Sequence, residues 1–289
     1  MIPGEFNYHS PASLNEAVGL LNDHGDDAKI LAGGQSLIPA MRFRLAAPEV
    51  LIDINGIKEL EYIREENGHL VIGALAREAD LEASAVVQQK YALLADTAKV
   101  IADPLVRNLA TVGGNIAHAD PANDHPATML AYQAEVVALG PSGTRTIAID
   151  DFFTGLFENS LEDNEILTQI RIPTPGPNSG GAYIKVERKV GDYAVSAVAV
   201  QLTMDGDTCT AARIGLTNVS PVPMRATGAE QALIGQAVTA EVLEAAGQAA
   251  AAECDPSADL RGSVEYKRDL TRVLTKRAIA KAIERAKGA

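Results

Sequence analysis

The chain is predicted to be an α+β protein in two main parts, and three observations predict it. Its 289 residues favour about two domains. The stretch Pro173-Thr174-Pro175-Gly176-Pro177-Asn178-Ser179-Gly180-Gly181 is rich in proline and glycine and reads as a break that forms neither helix nor strand. Beyond it, strand-like segments are followed by helical ones without alternation, which is the α+β pattern. The boundaries expected are 1–175, divided near residue 55 into two subdomains, a linker at 176–181, and a smaller C-terminal α+β domain at 182–289 with antiparallel sheet and helices.

The elements follow in order. Ser13 with Glu16 forms a capping box that opens a helix with Leu14, Ala17, Val18 and Leu21 on one face, closed by Gly25. Lys29 to Leu31 and Val50 to Ile54 read as strands, and Leu70 to Ile72 as another. A helix is expected over Ala92 to Ile101, ended by Pro104, with a diglycine loop over Thr111 to Ile116 following at once, and another helix near Pro126. Glu135 to Leu139 and Thr146 to Ile149 flank the hairpin signature Pro141-Ser142-Gly143, and Glu165 to Ile172 is the last strand before the break. Past the break, Tyr183 to Arg188, Val195 to Met204 and Cys209 to Val219 are β-rich, with Asp205-Gly206 as a hairpin turn. Thr227 with Glu230 reads as a second capping box, and the final stretch from Gly262 is a helix with a basic balance. That helix is either a docking surface for acidic partners or a solvated amphipathic helix.

Composition excludes several classes. A net charge of −13 opposes non-specific nucleic-acid binding, which runs on clustered Lys and Arg. No apolar run reaches the ~18 residues of a membrane span. The start carries neither a basic segment nor an apolar core of a secretory signal, so a cytoplasmic location is expected. Cys209 and Cys254 are too few for an iron–sulfur cluster or thiolate zinc site and imply no disulfide. Gly-x-Gly-x-x-Gly, the Walker lysine loop, His-Glu-x-x-His and Gly-x-Ser-x-Gly are all missing, so a bound dinucleotide would not sit on a Rossmann-like fold.

Two diglycine segments stand out: Ala32-Gly33-Gly34-Gln35-Ser36-Leu37 and Thr111-Val112-Gly113-Gly114-Asn115-Ile116. Paired glycines permit positive φ and close approach to a ligand, and successive exposed N–H groups make an anion-binding concavity. In an acidic chain the grip on a phosphate must come from such local donors. Two of these turns, with Ser36, Thr111 and Asn115 beside them, suggest a diphosphate cofactor held from two sides. His118, Asp120, Asp124 and His125 match no familiar metal-ligand spacing, and Pro121 and Pro126 restrict their convergence, so no metal is expected.

These two segments, together with Asp120-Pro121-Ala122-Asn123-Asp124, resemble the FAD-binding subunits of molybdenum hydroxylases, the xanthine dehydrogenase family. Met1-Ile2-Pro3-Gly4, Ala102-Asp103-Pro104, Lys189 to Ala194 and Ile214 to Val219 resemble the branch of that family found in aerobic carbon monoxide-oxidising enzymes. The resemblance spans the whole chain and implies the family's two-part FAD-binding region followed by the C-terminal domain.

It also implies a division of labour. A large partner subunit holds a molybdenum cofactor and oxidises the substrate, a small one with two [2Fe–2S] clusters relays electrons, and this chain's FAD passes them to a quinone or other acceptor. The assembly implied is a dimer of heterotrimers, cytoplasmic or peripheral at the inner membrane face, with no catalytic residue on this chain. By the same resemblance Gly33, Gly34, Gln35, Ser36, Gly113 and Gly114 cradle the pyrophosphate through backbone N–H, Ala32 and Leu37 flank them as cofactor-binding residues, and Thr111 and Asn115 add side-chain donors. Gln35 stands where relatives often carry His, keeping a hydrogen-bonding group but no titratable one. Asp120, Asn123 and Asp124 follow at the cofactor; Asp124 either accepts from ribityl or ribose hydroxyls or is a helix-terminus acid favoured by the macrodipole. Asp192 and Tyr193 belong beside the isoalloxazine, with Tyr193 either stacked on the ring or a core tyrosine. Lys185 either sets positive charge near the flavin or is a solvated strand residue, and Leu167 either edges the flavin or packs in the core.

Overall fold

A computed structural model describes residues 2–288; Met1, which opens one of the resembling segments, and Ala289 lie outside them. The N-terminal layer contains β1 (Asn7–His9), α1 (Leu14–His24), β2 (Ala28–Leu31), α2 (Leu37–Arg42) and β3 (Val50–Asp53). Its three strands are parallel in the order β1-β3-β2. Parallel neighbours need crossover connections, which α1 and α2 supply. The capping box at the start of α1 forms: Glu16 N donates to Ser13 Oγ at 3.3 Å, and Ala12 N to Glu16 Oε2 at 2.8 Å. Ala17, Val18 and Leu21 then pack against Val50, Ile52 and Ile54, and Gly25 closes the helix at φ 51°.

The middle part contains β4 (Ile63–Glu66), β5 (His69–Gly73), α3 (Glu78–Ala83), α4 (Ala85–Lys90), α5 (Ala92–Val100), α6 (Pro104–Arg107), α7 (Val112–His118), α8 (Asp124–Tyr132), β6 (Glu135–Gly140), β7 (Gly143–Ala148), β8 (Phe153–Gly155), β9 (Glu158–Asn159) and β10 (Ile166–Pro173). An antiparallel sheet, β4-β5-β10-β6-β7, buries Leu70, Ile72, Val136 and Ile170 against Leu93, Leu94, Ile116 and Met129 of the helices. Two expectations change here. The helix ending near Pro104 does not lead straight into the second diglycine segment, because α6 intervenes with Asp103 as its cap. That segment is also no loop: Thr111 is the cap of α7, and both glycines are helical.

The C-terminal part contains β11 (Ser179–Val186), β12 (Ser196–Asp205), β13 (Thr208–Thr217), β14 (Met224–Arg225), α9 (Thr227–Leu233), α10 (Ala240–Glu253) and α11 (Val264–Ala286). The strands form one antiparallel sheet in sequence order, as expected, with α10 and α11 packed on it.

Ser179, Gly180 and Gly181 are strand rather than linker. A side chain on Gly180 would be driven into the Ala282 carbonyl and stand 2.6 Å from Ala286 N, so this glycine lets α11 lie directly on the strand. The second capping box is also absent. The cap of α9 is Ala226, and Glu230 is drawn away to accept from Ile214 N at 2.8 Å and from Arg225. The basic balance of α11 is largely engaged inside the chain. Lys281 and Arg285 reach Asp96 at 2.9 and 2.7 Å, Arg272 reaches Glu244 at 2.9 Å, and Lys267 is buried on Asp259 at 2.8 Å. Cys209 and Cys254 are buried free thiols. Among the described residues no helix is long and apolar enough to cross a membrane.

Candidate cofactor site

The two diglycine segments abut, yet they differ in what they offer a ligand. In the first, between β2 and α2, four carbonyls are engaged within the chain. Ala32 O accepts from Asn55 Nδ2 at 2.7 Å, Gly33 O from Gln35 Nε2 at 3.1 Å, Gly34 O from Ile38 N and Ser36 O from Ala40 N, both at 3.1 Å. Among the described residues nothing accepts from the N–H groups of Gly33, Gly34, Gln35 or Ser36. Gly34, at φ +71°, makes the turn that exposes them. A run of donors in which three of the four carbonyls, those of Gly33, Gly34 and Ser36, are occupied suits a polyanion such as a pyrophosphate.

The second segment has its N–H groups engaged. Val112 N donates to Ala76 O at 3.0 Å, Gly113 N to Ala74 O at 3.1 Å, Gly114 N to Thr111 Oγ1 at 3.1 Å and Asn115 N to Thr111 O at 3.0 Å. The expectation that Gly113 and Gly114 offer backbone donors to a phosphate is therefore corrected. Their φ is not positive, and their glycine identity serves packing. A Cβ on Gly113 would stand 2.6 Å from Ala74 Cα, and one on Gly114 2.7 Å from Thr111 Oγ1. What this side retains is the Thr111 hydroxyl hydrogen and the Asn115 side chain, whose buried Oδ1 has no partner.

Two residues with no motif of their own join the segments. Arg77 donates from Nη1 to Leu109 O and from Nη2 to Asn55 Oδ1, both at 2.8 Å, while Asn55 reaches Ala32 O. Contact is otherwise direct: a Cβ on Gly33 would enter the Leu109 carbonyl and stand 2.8 Å from Ala110 Cα. Sequence reasoning missed Arg77 and Asn55 because each is an isolated polar residue beside a strand end, without periodicity or repeat.

The acidic stretch is folded inward. Asp120 Oδ1 accepts from Ala122 N at 2.8 Å, and Asn123 Nδ2 donates to Asn115 O at 3.2 Å, tying this turn to α7. Asp124 is buried, with Oδ1 accepting from the Tyr183 hydroxyl at 2.6 Å and Oδ2 from Lys185 Nζ at 3.0 Å. Tyr183 also meets Thr217 Oγ1 at 3.2 Å, and Lys185 donates to Val100 O at 3.1 Å. Burial drives the Asp124 carboxyl above the usual carboxylate range, with Lys185 and the Tyr183 hydroxyl opposing. Burial and the neighbouring carboxylate hold the Tyr183 phenol well above 10.

Lys185 is thus no solvated strand residue, since its side chain is 3% exposed and paired. Nor do the four candidate metal ligands converge. His125 Nε2 lies 2.8 Å from Glu78 Oε2 in the core, His118 stacks on Phe157 with ring centroids 5.1 Å apart, and no metal-ligand cluster exists among the described residues.

Tyr193 is 44% exposed, which removes the core reading. Its ring lies 5.8 Å from the Arg261 guanidinium. Asp192 Oδ1 accepts from Arg261 Nη2 at 2.7 Å and from Tyr193 N at 2.9 Å, pinning the loop that presents the tyrosine. Leu167 takes its core reading: its side chain is buried at the bulge of β10 opposite Ala138.

Comparison with known proteins identifies the family. The family described as the FAD binding domain in molybdopterin dehydrogenase matches residues 4–175, and the CO dehydrogenase flavoprotein C-terminal domain matches 181–282. The carbon monoxide dehydrogenase medium chain of Hydrogenophaga pseudoflava is 49% identical over 96% of this chain and 97% of its own length. That of Afipia carboxidovorans is 45% identical over 99% and 100%. A solved carbon monoxide dehydrogenase from Hydrogenophaga pseudoflava superposes with a TM-score of 0.97 at 50% identity, covering 99% of both chains. Quinoline 2-oxidoreductase from Pseudomonas putida 86 does so with 0.93 at 33%, again over 99% of both. The chain belongs to the family of FAD-binding flavoprotein chains of molybdopterin dehydrogenases. Its donor-lined first turn fits the pyrophosphate of that family's cofactor, and the unpartnered Asn115 Oδ1, an acceptor, fits one of the cofactor's hydroxyl or N–H donors.

Proposed function

We propose that this chain is the FAD-carrying medium subunit of an aerobic carbon monoxide dehydrogenase. The overall reaction is the oxidation of carbon monoxide and water to carbon dioxide with release of two protons and two electrons. A large partner subunit with a molybdenum cofactor carries out that oxidation, and a small partner with [2Fe–2S] clusters relays the electrons to this chain. Bound FAD supplies two-electron redox chemistry that joins one-electron carriers on a partner to an acceptor such as a quinone. The observation that carries the cofactor assignment is the first diglycine turn, with four amide donors that have no acceptor within the described residues while the Ala32, Gly33, Gly34 and Ser36 carbonyls are engaged. Carbon monoxide as substrate is supported by 49% and 45% identity to two medium chains of that enzyme. The 6-hydroxypseudooxynicotine dehydrogenase subunit alpha of Paenarthrobacter nicotinovorans stands at 36%.

The chain's own residues then have these tasks. Gly33, Gly34, Gln35 and Ser36 donate amide hydrogens to the pyrophosphate, and the Thr111 hydroxyl and Asn115 side chain complete the opposite side. Each donor to a charged oxygen contributes about 1.5–3 kcal/mol, which lets an acidic chain hold an anion. Asp120 and Asn123 shape the turn that leads to Asp124. The Asp124–Lys185–Tyr183 cluster sets a fixed charge arrangement beneath the site and orients the start of α8. Tyr193 presents an aromatic face at the surface, where it can shield the flavin ring from water.

The test is purification of the tagged chain from its native host with absorbance, metal analysis and carbon monoxide-dependent dye reduction. Flavin, iron and molybdenum arriving with two partner chains and this activity are expected. All three without the activity would move the substrate to another molybdenum hydroxylase. A colourless chain without partners would overturn the assignment.

A further inference from the structure

We propose that Arg77 and Asn55 form a positioning latch that sets the spacing of the two diglycine segments, and hence of the dinucleotide between them. The proposal rests on the FAD reading above, but assigns neither residue a contact with the cofactor. The segments come from different parts of the fold, the first from the N-terminal parallel layer and the second from the middle part. Each half of the latch is fixed to one of them.

Arg77 is zipped to the second segment by its backbone. It forms an antiparallel bridge with Thr111, flanked by Val112 N to Ala76 O and Glu78 N to Ala110 O, each 3.0 Å. Its guanidinium adds the bond to Leu109 O. Asn55 lies just past β3 on the other side. Its Nδ2 donates to Ala32 O at 2.7 Å and to Asp53 Oδ1 at 2.7 Å, and its backbone N donates to the same Asp53 oxygen at 2.9 Å. Asp53 is anchored in turn by the Tyr8 hydroxyl at 2.6 Å. The 2.8 Å bond from Arg77 Nη2 to Asn55 Oδ1 joins the two halves.

The chemistry requires these side chains. Guanidinium offers divergent donors in one rigid plane, so a single residue grips two acceptors in fixed relation; an ammonium on a flexible stem does not. Asn55 uses both ends of its amide, accepting from Arg77 while donating to Ala32 and Asp53, and no carboxylate can do that. Holding Ala32 O inward also fixes the turn polarity that leaves the Gly33–Ser36 amides outward. Without the latch, packing such as that of Gly33 on Leu109 and Ala110 would be left to set the spacing of the segments.

The experiment titrates FAD into the full-length chain stripped of flavin, following fluorescence quenching, for wild type, Arg77→Met, Arg77→Lys, Asn55→Ala and Asn55→Asp. Arg77→Met and Asn55→Ala are each expected to raise the FAD dissociation constant tenfold or more, with Arg77→Lys recovering little. The double variant should be no worse than the poorer single one, as expected for residues acting as a unit. Amide exchange gives a readout that general destabilisation would not reproduce: Ile38 and Ala40, whose amides are bonded to Gly34 O and Ser36 O, should exchange faster in Arg77→Met while β12 is unchanged.

Affinities within twofold of wild type, or losses that multiply in the double variant, would overturn the latch. Should Arg77→Met not fold, Asn55→Asp decides alone, since it keeps the acceptor for Arg77 and removes the donor to Ala32. The same tenfold loss is expected there, and unchanged affinity overturns the proposal. Wild type that binds no FAD would overturn the cofactor reading itself, which is a separate result.

Discussion

Gly33 and Asp124 show how single residues here answer to packing before they answer to a ligand. A methyl group on Gly33 meets backbone at Leu109 and Ala110, which cannot rotate away. Gly33→Ala is therefore expected to weaken FAD binding more than tenfold and to cost about 1–3 kcal/mol of stability through overpacking, checked by flavin titration and urea denaturation. Asp124 and Lys185 form a buried pair whose separation strands a charge. Lys185→Met is expected to cost about 3–5 kcal/mol, and adding Asp124→Asn should recover much of it, because removing both charges removes the desolvation cost as well. Equal losses in the single and double variants would show that the pair is not the source.

Asp53 gives the acid limit of the site. Burial alone would raise its carboxyl, but hydrogen bonds from Tyr8 and Asn55 and the charge of Arg77 outweigh this and hold it below the ordinary range. A depressed carboxyl contributes its full stabilisation above the unfolded value and loses it as pH falls through the folded one. Stability of the stripped chain should thus be flat from neutrality to about pH 5 and fall below about pH 4, with Asp53→Asn less stable throughout and flatter in acid. An identical acid limb in both proteins would remove Asp53 from that role.

Among elements, the ones that could be read beforehand were those whose signals are local. Ser13 and Glu16 cap α1 as read, and the hairpin of β6 and β7 turns at Pro141 and Ser142, because each depends only on residues within a few positions. Several of the misreadings involve residues claimed by neighbours outside their own motif. Gly180 looks like linker because its reason is the backbone of α11, about a hundred residues away in sequence. Glu230 looks like a cap, but Ile214 N and Arg225 engage it. Thr111 to Asn115 look like a second phosphate loop, yet Val112 N and Gly113 N pair with Ala76 and Ala74 across the fold, and Gly114 N and Asn115 N with Thr111. The site was legible as a pair of motifs; its asymmetry was not, since unpaired and paired amides have the same sequence. The Gly180 contact carries its own prediction. Gly180→Val should loosen α11 from β11, seen as faster amide exchange along α11 with α7 unaffected, and unchanged α11 protection would assign the glycine no packing role.

At the scale of the whole molecule, the hydrophobic residues fall into three clusters, and the candidate cofactor site lies where two of them meet. The N-terminal cluster, built on Ala17, Leu21, Val50 and Ile52, is the smallest, and it borrows Leu75 and Ile166 from the middle part to complete itself. Apart from that shared packing, the latch and the Gly33 contact bind the layer that carries the four free amides. A ligand bridging such a boundary stabilises the native state by RT ln(1 + [L]/Kd), about 2.7 kcal/mol at a hundredfold excess over Kd. The gain should not be spread evenly, because the large middle and C-terminal cores already hold themselves. FAD is expected to raise the melting temperature of the stripped chain and to slow amide exchange most strongly in β1, α1, β2 and β3, with little change in β12 and β13. Protection confined to Gly33–Ser36 would mean that the N-terminal layer is already rigid and that the cofactor only covers it. Slower exchange throughout the layer would mean that the bound dinucleotide completes the junction, and that losing it leaves this layer the first part of the chain to open.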